Sequence, residues 1–91
     1  MKKVAAVVVT YNRKKLLKSC IENLLNQTFK TDVIVIDNMS TDGTREMLED
    51  FIATKKIIYH STGKNIGGAG GFYEGKRLAY MLNYDYFWLM D

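Results

Sequence analysis

The chain has 91 residues, which is enough for one small hydrophobic core. Hydrophobic residues make up 47% of it and charged residues 25%, a composition that indicates a globular, soluble protein and excludes a disordered one. The formal net charge is +3 and the lysines and arginines are scattered, so we expect no nucleic-acid partner and at most a weak preference for anionic ligands.

Cysteine usage and hydropathy bear on the compartment. Cys20 is the single cysteine, so no intramolecular disulfide is possible, and we expect a small buried side chain on a helix. The apolar run at residues 4–9 is too short for a signal peptide, and no cleavage site follows it. No stretch approaches the ~20 apolar residues that span a bilayer. We therefore expect a cytoplasmic protein.

The first half of the chain predicts two strands and two helices. Residues 4–9 form a continuous apolar run rich in β-branched side chains, which is typical of a strand buried on both faces of a parallel sheet. Apolar residues then recur at spacings of three and four, which predicts a helix over about 14–26. Residues 33–36 repeat the buried-strand pattern. Residues 40–43 offer capping side chains for a second helix, whose apolar stripe lies within 47–52.

The second half predicts two more strands and a third helix. Residues 57–59 look like the third strand, and a glycine-rich loop at 63–71 leads into the helix. The aromatic run at 86–90 predicts the fourth strand. We expect the aromatic side chains around it to lie in the core: Tyr84, Tyr86, Phe87 and Trp88.

The order β-α-β-α-β-α-β predicts an α/β fold, a Rossmann-like parallel sheet with helices on both faces. The chain stops directly after the fourth strand, with nothing to cover it, so we interpret residues 1–91 as a domain truncated at this point. The unfinished sheet edge beside Trp88 could then pair with a second copy of the chain.

Polar clusters follow every predicted strand. In an open parallel sheet, ligands bind beyond the carboxyl ends of the strands, so these clusters should meet on one rim. Tyr11, after the first strand, offers a flat ring to a nucleobase, although the same turn could simply cap the next helix. Asp37 and Asn38, after the second, could hydrogen-bond the edge of a pyrimidine or form an Asx turn.

The last two clusters are the glycine segment and the final aspartate. Gly67, Gly68, Gly70 and Gly71 would let the backbone approach a ligand closely, and the start of the following helix favours an anion. A flexible spacer would not need glycines at a helix start, so we favour a ligand site there. Asp91 could bind a metal ion or a ribose hydroxyl, or cap a helix.

Four motifs stand in order along the chain: Val-Val-Val-Thr-Tyr-Asn-Arg at 7–13, Ile-Asp-Asn-Met-Ser-Thr-Asp-Gly-Thr at 36–44, Asn-Ile-Gly-Gly-Ala-Gly-Gly-Phe at 65–72 and Trp-Leu-Met-Asp at 88–91. Together they resemble family 2 glycosyltransferases, most closely the bacterial rhamnosyl- and galactofuranosyltransferase branch. The resemblance implies a GT-A fold. It also implies transfer of a sugar from a nucleoside diphosphate sugar, UDP- or dTDP-linked, to a glycan or lipid-linked acceptor in cell-envelope polysaccharide synthesis.

The resemblance also implies a binding site. Thr10 and Tyr11 would hold the nucleoside, together with the pair after the second strand. Many relatives have Asp-Asp at that pair where this chain has Asp37-Asn38, which leaves the choice between uracil and thymine open. Asn65 and the glycine segment would lie along the diphosphate and the sugar. The predicted nucleotide-sugar-binding residues are Thr10, Tyr11, Asn12, Arg13, Asp37, Asn38, Asn65, Gly67, Gly68, Gly70 and Gly71.

A divalent metal ion, Mn²⁺ or Mg²⁺, is the implied cofactor of the complete enzyme. In the family the fourth strand ends in an Asp-rich metal-binding triplet, of which this chain has only the first position, Asp91. The ion would act as a Lewis acid on the departing nucleoside diphosphate. No residue matches the family's catalytic base, so the catalytic residues stay unassigned and we expect the fragment alone to be inactive. The full-length enzyme could lie at the inner face of the membrane.

Two other classes are considered from the residues alone. A nucleotidyltransferase on a similar sheet would carry a glycine-rich, basic loop after the first strand, where this chain has residues 10–13. A non-enzymatic receiver-like or flavodoxin-like module is the second alternative. A receiver domain would place acidic residues after the first strand and a phosphorylatable aspartate after the third, where this chain has the glycine segment. Both patterns are absent, which favours the glycosyltransferase.

Overall fold

A computed structural model describes residues 3–27 and 31–90 of the chain. In these ranges, strands alternate with helices as the sequence predicts. The elements are β1 Val4–Thr10, α1 Lys14–Leu25, β2 Asp32–Asp37, α2 Thr44–Met47, α3 Glu49–Ala53, β3 Ile57–Ser61, α4 Gly67–Met81 and β4 Tyr86–Met90.

The four strands form one parallel sheet in the order β3-β2-β1-β4. The predicted α/β fold with a parallel sheet is therefore confirmed. From β1 the chain runs outwards through β2 to β3, and α4 then carries it back to β4 on the other side of β1. The direction of progress thus reverses beside β1, and such a switch point is where ligands bind in open α/β sheets.

The core has one layer on each face of the sheet, because β1 and β2 are apolar on both faces. Leu17, Ile21 and Leu24 of α1 pack on one face, together with Leu48. On the other face, α4 packs through Ala79 and the partly buried Phe72 and Leu78. The apolar period predicted α1 to within one residue of its end, although one of its apolar residues, Leu16, is exposed. Cys20 is half-buried at the edge of the first layer.

The predicted second helix is two short helices rather than one. They meet at Leu48, which is fully buried, and its N–H lies 3.1 Å from the Thr44 oxygen and 3.2 Å from the Arg45 oxygen. Sharing one N–H between two carbonyls is common at helix ends. The apolar stripe itself is correct, since the flanking Met47, Phe51 and Ile52 pack against the same core layer.

The predicted glycine loop is wrong from residue 67 onwards. Helix α4 already begins at Gly67, so all four glycines of the segment 67–71 lie in its first turns. The physical reason is packing. A Cβ on Gly71 would lie 2.5 Å from Val9 Cγ1, and one on Gly75 would lie 2.3 Å from Val7 Cγ1. Glycine is thus what allows α4 to lie this close to β1, despite its poor helix propensity.

The aromatic side chains around β4 are less buried than predicted. Tyr86 is 57% exposed and Trp88 41% exposed, whereas Phe87 and Tyr84 pack partly buried against the layer beneath α4. The difference follows from topology, because β4 is the edge strand of the described sheet and has a neighbouring strand on one side only. Among the helices of residues 3–27 and 31–90, none combines the length and apolar character of a membrane span.

Candidate functional site

A cleft of about 300 Å³ opens at the carboxyl end of β1, beside the start of α4. This is the switch point of the sheet, where the fold brings three separate segments of the chain together. Its lining residues are Val9, Thr10, Tyr11, Arg13, Asn38, Asn65, Gly67 and Gly68. All of them except Val9 are predicted site residues, so the structure brings these residues together, and their binding of a nucleotide sugar stays a prediction.

The end of β1 and the turn after it contribute three side chains to the cleft. Thr10, the last residue of β1, is only 5% exposed and lines the cleft. The ring of Tyr11 is half exposed. Arg13 precedes α1 and forms no ion pair with any residue in the described ranges. This end of β1 and its turn therefore carry a hydroxyl, a flat ring and a positive charge.

Asn12 lies in the same turn but does not line the cleft. Its backbone has a φ of 51°, in the left-handed region that asparagine tolerates better than most residues. Its side-chain oxygen accepts a hydrogen bond from the Thr41 N–H at 2.7 Å, and its own N–H donates to Ser40 Oγ at 2.9 Å. Asn12 thus ties the turn to the loop after β2, and a contact with a ligand stays a prediction.

Asp37 is buried behind the cleft and is 2% exposed. One carboxylate oxygen accepts the Ser40 N–H at 2.9 Å, and the other accepts the Tyr59 hydroxyl at 2.7 Å. Burial raises the pKa of the Tyr59 hydroxyl, and the hydrogen bond to Asp37 and its charge raise it further. Tyr59 therefore stays protonated and acts as a donor that holds the carboxylate in place.

Asn38 lines the cleft and is also 2% exposed. Its backbone N–H donates to the Thr10 oxygen at 2.9 Å, which continues the contact between β1 and β2 beyond the strands. Its side-chain Nδ2 donates to the Gly67 oxygen at 3.0 Å, and its Oδ1 lies 3.1 Å from Thr62 Oγ1. The amide thus links the ends of β2 and β3 to the start of α4.

The four glycines of residues 67–71 have two different surroundings: two lie beside the open cleft and two are packed against other residues. The Gly67 N–H donates to Asn65 Oδ1 at 2.9 Å, and Gly67 has a φ of +78° that only glycine adopts easily. A Cβ on Gly67 or Gly68 would meet nothing within 4 Å, as expected beside an open cleft. Gly70 and Gly71 do not line the cleft, because Gly70 lies against the Ile66 side chain and Gly71 against the sheet. Their predicted role in nucleotide-sugar binding stays a prediction.

The predicted metal ligand, Asp91, lies outside the described residues. Strand β4 runs parallel to β1, with Met90 paired to Val8, so its carboxyl end lies at the same edge of the sheet as the cleft. Within residues 3–27 and 31–90, no group of three His, Cys, Asp or Glu side chains could hold a metal ion. The described residues therefore do not form a metal site, and none of the contacts above depends on one.

The sequence did not predict the contacts of two residues beside the site. Tyr59 pairs with Val35 in the parallel register, and side chains alternate along a strand, so Tyr59 lies on the same face as Asp37, two residues after Val35. That signal needs the register between β2 and β3, which a single sequence does not supply. His60 of β3 lies with its Nε2 3.7 Å from Glu74 Oε2 on α4.

The fold is an α/β domain with a cleft at the switch point of its parallel sheet, and comparison with known proteins identifies its family. The model of the family described as "Glycosyl transferase family 2" matches residues 5–91. The chain belongs to this family, so the resemblance stated from the motifs is confirmed. The match favours a glycosyltransferase over the nucleotidyltransferase and receiver-like alternatives.

Relatives and a solved structure agree with this assignment. The chain is 37% identical over 89 residues to galactofuranosyltransferase GlfT1 of Mycolicibacterium smegmatis, covering 97% of this chain and 29% of that protein. It is 32% identical over 91 residues to abequosyltransferase RfbV of Salmonella typhimurium, covering 94% of this chain and 26% of that protein.

The mannosyltransferase PcManGT from Pyrobaculum calidifontis, solved in complex with GDP-Man and Mn²⁺, superposes with a TM-score of 0.76 at 25% identity. That match covers 85% of this chain and 24% of the solved one, and the fold is that of GT-A glycosyltransferases. The chain thus spans less than a third of the length of each of these proteins.

Proposed function

We propose that residues 1–91 form the N-terminal, nucleotide-sugar-binding part of a GT-A domain. The complete protein would transfer a sugar from a UDP- or dTDP-sugar to a glycan or lipid-linked acceptor in cell-envelope polysaccharide synthesis. The observation that carries the proposal is the cleft at the switch point beside β1, lined by the residues that the family motifs indicate. The named activities of the relatives support the transferase class.

The proposed nucleoside contacts come from the ends of β1 and β2 and from the turn after β1. The half-exposed ring of Tyr11 would stack on the base, since every base has a π-face. The hydroxyl of Thr10 would hydrogen-bond the nucleoside. The carboxylate of Asp37 has about four lone-pair sites and uses two of them within the protein, which leaves acceptor capacity for a pyrimidine N–H.

The proposed diphosphate contacts come from Arg13 and the start of α4. The guanidinium of Arg13 matches phosphate oxygens in a bidentate geometry, and it forms no ion pair among the described residues. The first N–H groups of a helix have no partner within the helix, so those at Gly68 and its neighbours suit an anion. Asn65 fixes the entry to the helix through its bond to the Gly67 N–H.

For the metal, we propose that Asp91 contributes one ligand to Mn²⁺ or Mg²⁺ in the complete enzyme. The end of β4 lies at the correct edge of the sheet, and the similar mannosyltransferase was solved with Mn²⁺. Such an ion neutralises charge on a departing diphosphate. No catalytic base is assigned, and we expect residues 1–91 alone to lack transferase activity. A cytoplasmic location, at the inner membrane face for the complete enzyme, and self-association through β4 also remain predictions.

A nucleotide titration followed by NMR tests the proposal. We expect UDP or dTDP, but neither GDP nor ADP, to shift the amide signals of Thr10, Tyr11, Gly67 and Gly68. Loss of base stacking in Tyr11→Ala should weaken binding roughly tenfold or more, since such stacking contributes about 1–3 kcal/mol. Tyr80→Ala is the matched control, because Tyr80 is 81% exposed near the far end of α4 and should not change the affinity.

The same titration with Mn²⁺ tests the metal. Paramagnetic broadening should be greatest at the end of β4 and should be lost in Asp91→Asn. Equal shifts with all four nucleotides, or none with any of them, would contradict the proposed nucleotide site. Broadening that persists in Asp91→Asn would contradict the proposed ligand alone.

A further inference from the structure

Met39, in the loop after β2, has an unusual backbone conformation for an apolar residue. Its φ is 66°, in the left-handed region that is unfavourable for residues with a Cβ. Within the described ranges, the other residues besides glycine with a positive φ are Asn12, Lys55 and Asn83. Asparagine tolerates this region, and Lys55 directly follows the residue that caps the end of α3, where chains commonly turn in this way. Neither reason applies to Met39.

Hydrogen bonds on both sides of Met39 fix the course of the loop. Directly before it, the Asn38 N–H donates to the Thr10 oxygen at 2.9 Å. Directly after it, the Ser40 N–H donates to Asp37 Oδ1 at 2.9 Å, so the chain turns back within this loop. Glycine would adopt the positive φ of the turn without steric cost. The sequence instead places a long apolar side chain there.

Packing within the described residues does not explain the choice of methionine. Met39 is 52% exposed and belongs to neither core layer, whereas Met47 and Met90 pack partly buried against the first layer. Because half of Met39 is in contact with solvent, burial of its side chain offsets little of the backbone strain. A residue that departs from the local backbone preference without a packing gain indicates a functional position.

The loop that carries Met39 is tied to the turn that carries Tyr11. The Asn12 N–H donates to Ser40 Oγ at 2.9 Å. Tyr11 directly precedes Asn12, and Met39 directly precedes Ser40, so the two loops are joined one residue beyond each side chain. Tyr11 is 45% exposed and lines the cleft, as does Asn38 on the other side of Met39. Two exposed apolar side chains are thus brought together at the edge of the cleft.

We propose that Met39 is a nucleoside-binding residue, whose side chain packs on the same base as the ring of Tyr11. The inference rests on the proposed function for the identity of the ligand, a pyrimidine nucleoside diphosphate. Met39 is not part of the lining of the cleft itself, so it covers the base from the mouth of the cleft. An unbranched, polarizable thioether adapts readily to a flat ring. The contact with the base provides the stabilisation that packing within the protein does not.

The first experiment uses the methionine methyl groups as NMR probes. The chain has five methionines, and ¹³C-methyl labelling gives one signal for each. UDP or dTDP should shift the Met39 signal. Met81 is the matched control, because it is 60% exposed at the end of α4 and its signal should not move.

The outcomes of this titration separate the inference from the proposed function. Shifts of the Thr10 and Tyr11 amides without a shift of the Met39 methyl group would overturn the inference and leave the proposed function intact. No shift anywhere would contradict the proposed function, and the inference with it.

The second experiment separates the side chain of Met39 from its backbone strain. Met39→Ala removes the thioether and keeps a Cβ, whereas Met39→Gly removes both. Each variant should bind UDP roughly fivefold more weakly than wild type, because an apolar contact of a few methylene groups is lost. Met39→Gly should nevertheless unfold at a higher urea concentration than Met39→Ala, since alanine is strained at a positive φ.

Met81→Ala is the control for both measurements and should change neither the UDP affinity nor the balance between the two Met39 variants. An affinity for UDP within about twofold of wild type in both Met39 variants would overturn the binding role. A Met39→Gly protein no more stable than Met39→Ala would show that the backbone is not strained, which would also overturn the inference.

Discussion

Gly75 lies where α4 crosses β1, and adding one methyl group there tests the packing of the whole layer. A Cβ at Gly75 would lie 2.3 Å from Val7 Cγ1, more than 1 Å closer than the 3.4 Å at which ordinary contact begins. Val7 is fully buried, and so is Ile36, the next nearest side chain, so neither can move into solvent. Overpacking of this kind costs about 1–3 kcal/mol.

The matched control for Gly75→Ala is Gly68→Ala in the same helix. Both changes gain helix propensity, up to about 1 kcal/mol, but a Cβ on Gly68 meets nothing within 4 Å. In urea unfolding we therefore expect Gly75→Ala to be less stable than Gly68→Ala by about 1–3 kcal/mol, since the propensity gain largely cancels. This is a substantial part of a total stability on the order of 5–14 kcal/mol for 91 residues.

A double-mutant cycle with Val7→Ala identifies the atom responsible. Val7→Ala removes the methyl groups that the new Cβ would meet, so it should cost less in the Gly75→Ala protein than in wild type. The expected coupling is about 0.5–3 kcal/mol. The reasoning would be refuted by a Gly75→Ala protein as stable as Gly68→Ala, or by additive effects in the cycle.

Two further predictions concern the hydrogen bonds around the site. Tyr59→Phe removes the donor to the buried Asp37 carboxylate and should lower the free energy of unfolding by about 1.5–3 kcal/mol in urea, whereas Tyr84→Phe, whose hydroxyl meets an exposed carboxylate, should cost less than about 1 kcal/mol. Equal losses would contradict the role of burial. The pKa of Asp42 is lowered, chiefly by the hydrogen bond from the Thr44 hydroxyl, so its contribution to stability is present above the ordinary value of 3.8 and is lost as the pH falls through the lowered pKa. Unfolding curves of Asp42→Asn should accordingly depend less on pH below about pH 4 than those of wild type, and parallel curves would refute this.

Strands β1 and β2 could be predicted because their sequences are compatible with only one environment, the interior of a sheet covered on both faces. Residues 4–9 and 33–36 are continuous runs of apolar, mostly β-branched side chains with no polar face, and such a run is stable only when both faces of the strand are covered. The structure buries β1 and β2 accordingly, between α1 and α4. The meeting of polar clusters on one rim followed from parallel strand direction alone.

The start of α4 could not be predicted by the same means. Glycine costs about 1 kcal/mol relative to alanine in a helix, so a segment with four glycines in five positions indicates a loop by propensity. The contact of Gly71 with Val9 overrides that preference, and it exists only once β1 and α4 are in place. The bond from Tyr59 to Asp37 was missed for a related reason, since it depends on the register of two strands.

The first turns of α4 contact both the sheet and the cleft, and glycine is required at Gly67 by its φ of +78° and at Gly71 by the closeness of the sheet. Gly67 and Gly68 face open space, whereas a Cβ on Gly71 would meet Val9 Cγ1 at 2.5 Å and Asn38 Nδ2 at 3.2 Å. The same Asn38 nitrogen donates to the Gly67 oxygen. The depth at which α4 packs on the sheet therefore also fixes the position of the helix start in the cleft wall. A substitution that lifts the helix from β1 changes stability and cleft shape together, because one side chain joins the two.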